Sequence, residues 1–206
     1  MNKKKATNDR GLRRMMLAND RGLHRMMLED LKRSGLDAKD AEKMGLEPKY
    51  SEEAAKAGFN KTSGYVIPYF NVNGKRLGRD ATRIRYFPHG IAPHKYGQRK
   101  DTAPRAYFAP SLPRGMTWAK IAKDPTVPLV FTEGEKKAAK ACKEGIPTIG
   151  LGGVWSFKSK RWAQEFLEEL DKEFVWNGCD VTIAPSPKSR APCASFPTSS
   201  VSGARG

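Results

Sequence analysis

The stretch Val127–Trp155 decides the fold, and its sequence is VPLVFTEGEKKAAKACKEGIPTIGLGGVW. Leu129–Phe131 is a short apolar run, as is typical of a buried parallel strand. Lys136–Lys143 is rich in Ala and Lys and has the composition of a helix, which Gly145 ends. Pro147–Leu151 is a second apolar strand. The order strand, turn, helix, strand predicts a parallel α/β unit.

The carboxyl ends of these two predicted strands carry the candidate functional residues. Glu133 follows the first strand, and Gly134 lets the chain turn tightly into the helix. Gly152 and Gly153 follow the second strand and allow a close backbone approach. Ligands of open α/β sheets bind at this edge, so Glu133 is a candidate to hold a divalent cation or exchange a proton in phosphoryl chemistry. A glutamate before a helix also stabilises the helix dipole, and that structural interpretation stays open.

The charge of the chain is strongly basic and unevenly distributed. The formal net charge is +16, and residues 61–123 hold 13 Lys or Arg against two acids, a net of +11. Such a segment attracts phosphate backbones. Arg83 and Arg85 alternate along a predicted strand and share one face, so they are predicted phosphate contacts, as are Lys136 and Lys137 at the helix start. A solvated basic surface is the alternative interpretation.

The N-terminal part combines a repeat, short helices and a hairpin. NDRGLRRMMLA at residues 8–18 returns as NDRGLHRMMLE at residues 19–29, with nine of eleven positions identical, and we assign this repeat no function. Helical pieces follow, which Gly35, Gly45 and Gly58 are predicted to end. The aromatic and β-branched run at residues 65–70, the Asn73-Gly74 dipeptide and residues 82–87 then predict a β-hairpin.

A family resemblance adds to this interpretation. The sequence PLVFTEGEKKAAKACKEGIPTIGLGGVWSF resembles the first half of a toprim domain, in a variant known as a domain of unknown function of phage, plasmid and mobile-element proteins. SGYVIPYFNVNGKRLG, RIRYF and AYFAP resemble the region before the toprim core in primase and primase–helicase proteins. The resemblance implies that Glu133 is the catalytic glutamate, that complete relatives use Mg²⁺, and that DNA and a replicative helicase are partners.

The sequence departs from the toprim pattern near its C-terminus. A helix at residues 159–174 and a strand at Val181–Ala184 are predicted, and toprim domains carry an Asp-x-Asp metal pair after such a strand. Here Pro185-Ser186-Pro187-Lys188 follows, and no acid occurs after Asp180. We therefore expect Glu133 to form an incomplete site with weak Mg²⁺ affinity and impaired catalysis. The Ser- and Pro-rich residues 185–206 are predicted to be disordered and are hypothesised to derive from a frameshift or truncation.

The predicted organisation has four parts. These are the duplicated basic segment 1–29, a helical and β-hairpin primase-like region 30–126, a partial toprim-like domain 127–184 and the aberrant tail 185–206. The fold class is α/β, and the incomplete parallel unit comes after the helical and hairpin region. With no apolar run of membrane-span length and no secretory signal pattern, we expect a protein of the bacterial cytoplasm without a membrane partner. Two alternatives stay open: a non-catalytic basic DNA- or RNA-binding module, and a non-functional gene fragment.

Overall fold

The computed structural model describes residues 21–87, 92, 94–153, 156–158 and 165–184, which divide into two compact units. Unit 1 contains the described part of Met1–Pro68 together with Leu77–Thr102. Unit 2 contains Tyr69–Arg76 and the described part of Ala103–Gly206. The predicted boundary after residue 126 therefore differs from the division after residue 102. The first repeat copy and the predicted tail lie outside the described residues.

Unit 1 combines three helices with an antiparallel sheet. Residues 21–32 are helical (α1), so most of the second repeat copy belongs to a helix. The remaining elements are α2 (Ala38–Lys43), α3 (Ser51–Lys56), β1 (Glu47–Lys49), β2 (Gly64–Pro68), β3 (Thr82–Tyr86) and β4 (Tyr96–Gln98). The strands pair in the order β1-β2-β3-β4, and every pairing is antiparallel.

Glycines end the helical pieces of unit 1 at the predicted positions. Gly45 follows α2 with φ 62°, a conformation that glycine adopts without a Cβ penalty. The N–H of the next residue, Leu46, donates to the carbonyl of Ala41 at 3.0 Å, and this bond satisfies one of the last carbonyls of α2. Gly35 and Gly58 also have positive φ at the ends of their helical pieces.

The sheet of unit 1 is covered on both faces. Val66, Ile84 and Tyr86 form a buried cluster with Ala54 of α3. On the other face, Tyr65 is fully buried, and its hydroxyl donates to Asp30 of α1 at 2.7 Å. Adjacent residues of β2 therefore serve opposite faces, as the period of two of a strand requires.

Unit 2 is built on a mixed sheet. Its elements are β5 (Tyr107–Phe108), α4 (Trp118–Lys123), β6 (Leu129–Glu133), α5 (Glu135–Lys143), β7 (Thr148–Leu151), α6 (Glu168–Glu173) and β8 (Val181–Ala184). The strand order is β5-β7-β6-β8, in which β6 pairs in parallel with both β7 and β8. β5 is antiparallel to β7. The predicted strand–helix–strand unit and the α/β fold class are confirmed.

The sheet of unit 2 buries side chains on both faces: the ring of Phe131 packs against Trp176 on one face, and Gly150 faces α5 on the other. Phe131 at the centre of β6 and Ile149 of β7 are register partners and are both buried. A Cβ added at Gly150 would lie 3.1 Å from the Cβ of Ala138, so a glycine there lets α5 approach β7 closely. The predicted helix 159–174 is described in part, and in that part the helix begins at Glu168.

Candidate functional site at the carboxyl edge of the unit 2 sheet

Glu133 is the last residue of the central strand β6 and is half-buried. Its register partner is Leu151, the last residue of β7, so the two carboxyl ends lie side by side. Gly134 then has φ 89° and ψ 145°, and its N–H donates to the carbonyl of Leu151 at 2.8 Å. This backbone turn, which glycine permits, separates the strand residue Glu133 from the helix residue Glu135.

The order of the strands reverses at β6. From β6 the chain passes through α5 to β7 on one side, whereas β8 lies against the other side of β6. The hydroxyl of Thr132 donates to the carbonyl of Ala184 at 3.0 Å, which ties the carboxyl ends of β6 and β8 together. In open α/β sheets such a reversal opens a crevice at the carboxyl edge, where ligands bind. Glu133 stands at this edge, and Gly152 and Gly153 follow β7 there.

A buried cluster next to Glu133 was not predicted from the sequence. Glu135, the first residue of α5, is 1% exposed, and its Oε1 accepts a 2.7 Å hydrogen bond from the hydroxyl of Tyr69. The rings of Tyr69 and Tyr107 pack edge to face with centroids 5.1 Å apart. Burial raises the pKa of Tyr107 well above its ordinary value, and the carboxylate of Glu135 raises that pKa further. The second acid of the TEGE sequence is the one local signal for this cluster.

The two lysines predicted as phosphate contacts differ in exposure. Lys136 is 8% exposed, so its side chain lies inside unit 2. Lys137 is exposed on the next position of α5. Of the two, Lys137 has the geometry of a surface contact, and its role stays a prediction.

The two predicted arginines lie in unit 1, in β3. Their guanidinium carbons lie over the ring of Tyr96, 5.2 Å from its centroid for Arg83 and 5.1 Å for Arg85. The two arginines therefore share one face, as the alternation indicated. Arg85 is buried, and its Nε and Nη2 donate to the two carboxylate oxygens of Asp30 at 3.2 and 2.9 Å. The guanidinium group of Arg85 is therefore already bound to Asp30. Arg83 is half-buried.

The carboxyl edge offers few ligands for a metal ion. Among the residues that the structure describes, no group of three or more His, Cys, Asp or Glu side chains is placed to hold one. Glu133 contributes one carboxylate, and Glu135 turns into the interior toward Tyr69. Among the described residues, this arrangement fits an ion held loosely through one carboxylate and water, and it supplies too few carboxylates for a two-ion centre.

No helix in the described part of the chain is long and apolar enough to cross a membrane.

Comparisons with known proteins place the carboxyl edge inside one family match. Neither the curated proteins nor the solved structures gave a match to the chain. A family model does match residues 117–184, from the N-cap of α4 to the last residue of β8. Glu133, Gly134, Gly152 and Gly153 all lie within this range. The matching family is a domain of unknown function, DUF3854.

Proposed function

We propose that the chain is a toprim-like, nucleic-acid-associated protein of a mobile element, related to replication primases and impaired in catalysis. The observation that carries the proposal is the position of Glu133 at the carboxyl end of β6, where the strand order reverses. Phosphate groups and their counter-cations suit such an edge. A cytoplasmic address, DNA as the nucleic acid and a replicative helicase as partner belong to the same proposal.

Glu133 is the proposed metal-contacting and catalytic residue of this edge. Mg²⁺ in proteins is commonly bound by one or two carboxylates and keeps several waters. Once bound, it would neutralise charge on phosphoryl oxygens. A single carboxylate compensates little of the charge of two cations. Weak Mg²⁺ binding and little catalytic turnover are therefore expected. Glu133 would then orient an ion and its waters toward a phosphate, while Gly152 and Gly153 leave space for the backbone of the ligand.

Iron-mediated cleavage locates the proposed ion directly. Fe²⁺ is added to the full chain with ascorbate and peroxide, so that hydroxyl radicals cut the polypeptide beside the bound ion. Mass spectrometry should find cuts close to residue 133, competed by excess Mg²⁺. Glu133→Gln should remove these cuts, whereas Glu168→Gln, at an exposed carboxylate that pairs with Lys172 in the same unit, should leave them. Identical cuts in the Glu133→Gln chain would overturn the metal role of Glu133.

Primer synthesis on single-stranded DNA with Mg²⁺ and nucleoside triphosphates tests the catalytic part. The expected result is little or no product. Robust Mg²⁺-dependent synthesis would contradict impaired catalysis.

A non-catalytic nucleic-acid-binding module is the second candidate. The basic segment 61–123 favours it, because Arg79, Lys100 and Arg105 are exposed there. Affinity that falls with salt and is unchanged in Glu133→Gln would support this module, since phosphate contacts release counterions while a metal site depends on its carboxylate. Loss of DNA binding in Glu133→Gln would instead support the metal-dependent site.

A further inference from the structure

The segment Tyr69–Arg76, here called the basic hairpin, is a small hydrogen-bonded loop of unit 2. Phe70 and Arg76 form an antiparallel bridge, and the N–H of Gly74 donates to the carbonyl of Asn71 at 2.9 Å. The side chain of Asn71 accepts from the N–H groups of Asn73 at 3.1 Å and Lys75 at 2.9 Å. These bonds fix the backbone of the turn from both sides, as an Asx-type turn does.

Two side chains of the basic hairpin are buried, and one of them is anchored in unit 2. Tyr69 is 3% exposed and Val72 is 5% exposed. The hydroxyl of Tyr69 donates to Glu135 at 2.7 Å, and its ring packs against Tyr107. Glu135 is two residues from Glu133, so this anchor joins the basic hairpin to the element that begins at the carboxyl edge.

The exposed part of the basic hairpin is charged. Lys75 and Arg76 are adjacent and exposed, and residues 69–76 contain no acid. Because the hydrogen-bonded turn fixes the backbone of both cationic residues, they lose less conformational entropy when they bind a phosphate. Lys provides a point charge and Arg a planar fork, and both bind phosphate.

We propose that the basic hairpin is a phosphate-binding arm of unit 2, which holds the phosphate backbone of a nucleic acid at the carboxyl edge. Lys75 and Arg76 make the contacts. Tyr69 and Glu135 are positioning residues that act through the hairpin. This assignment rests on the nucleic-acid part of the proposed function and is independent of the metal role of Glu133.

Fluorescence anisotropy with a short labelled single-stranded DNA, read over a range of salt concentrations, tests the contacts. Lys75→Ala/Arg76→Ala should weaken binding about tenfold and reduce the slope of log affinity against log salt by about 1.4, at about 0.7 per phosphate contact. Lys120→Ala/Lys123→Ala removes the same charge from exposed positions of α4 and should leave the slope unchanged. Equal losses in the two double variants would overturn the proposal.

A double-mutant cycle tests the anchor. Tyr69→Phe should weaken binding severalfold in the natural chain and have no further effect in the Lys75→Ala/Arg76→Ala chain, because it acts through those two cations. Glu135→Gln keeps an oxygen that accepts from Tyr69 and should retain most of the binding, whereas Glu135→Ala should lose it. A loss from Tyr69→Phe of the same size in both backgrounds would show a general structural role and overturn the positioning assignment.

The outcomes separate this inference from the proposed function. A natural chain that binds no oligonucleotide would defeat both. A natural chain that binds with the salt dependence of phosphate contacts, while the hairpin variant behaves like its control, would defeat the arm alone. Failure of the iron-cleavage test would leave the arm intact, since the contacts of Lys75 and Arg76 with phosphate do not involve the metal.

Discussion

Arg85 holds Asp30 through two hydrogen bonds, Nε to Oδ2 at 3.2 Å and Nη2 to Oδ1 at 2.9 Å, across 55 positions of sequence. The two side chains are 7% and 10% exposed, and Tyr65 donates a third bond to the same carboxylate. Arg85, which the strand pattern predicted as a phosphate contact, thus forms a buried ion pair inside unit 1. Buried pairs of this kind become costly when one partner is removed, because the other charge stays uncompensated.

Asp30→Ala is therefore expected to destabilise unit 1 by about 3–5 kcal/mol. Urea unfolding followed by far-UV circular dichroism measures this loss. Glu29→Ala is the matched control on the neighbouring position of α1, since Glu29 pairs with Arg25 at side chains that are 61% and 79% exposed. It should cost no more than about 0.5 kcal/mol. Similar midpoints for the two variants would show that the buried pair contributes little.

The hydroxyl groups of Tyr69 and Tyr107 form a second matched comparison. Tyr69→Phe removes the donor to Glu135 and should cost about 1–3 kcal/mol, because a buried carboxylate oxygen loses that bond. The hydroxyl of Tyr107 is buried and has no hydrogen-bond partner among the described residues, so Tyr107→Phe should be neutral or slightly stabilising. Thermal melts of both variants check this order. A larger loss in Tyr107→Phe than in Tyr69→Phe would contradict it.

The sequence predicts local features of this chain better than distant pairings. The β6–α5–β7 unit follows from apolar runs, helix composition and Gly145, all within 30 residues. The partners of Arg85 and Glu135 lie 55 and 66 positions away, so no periodic pattern marks them. The pairing of β5 with β7, about forty residues further along the chain, is likewise marked by no local pattern. The burial of Lys136 also results from packing around α5. The amino-acid composition of the helix does not indicate that packing.

Gly134 is expected to be required for its backbone conformation and not for space. A Cβ at Gly134 would meet no heavy atom within 4 Å, yet φ is 89°. Gly134→Ala should therefore destabilise unit 2 by about 1–3 kcal/mol, because positive φ combined with an extended ψ of 145° is a conformation that is essentially restricted to glycine. Gly22 in α1 has equally open surroundings and no positive φ, so Gly22→Ala should stabilise by up to about 1 kcal/mol. Chemical denaturation of both variants measures the contrast, and a stabilising Gly134→Ala would refute the backbone argument.

Cys142 should make the stability of unit 2 depend on alkaline pH. Burial raises the pKa of its thiol from 9.0 to about 11, and the thiol is fully buried at the interface of α5 and β7, where it bonds the carbonyl of Thr148. The folded state favours the neutral thiol, so this contribution is complete below about pH 9 and is lost as the pH rises to about 11. Its slope there should reach about 1 kcal/mol per pH unit, somewhat below the limit of about 1.4 for one full proton.

Cys142→Ala isolates this contribution from the buried tyrosines, whose pKa values are raised in the same direction. Urea melts of the natural chain and the variant, taken from about pH 8 to about pH 11, should diverge in slope above pH 9 as the thiol of the unfolded chain ionises. Alkylation under native conditions gives a second measurement. Mass spectrometry should find Cys142 protected, while the partly exposed Cys179 reacts. Parallel pH profiles together with rapid alkylation of Cys142 would show that the thiol is accessible and that its burial does not govern the alkaline transition.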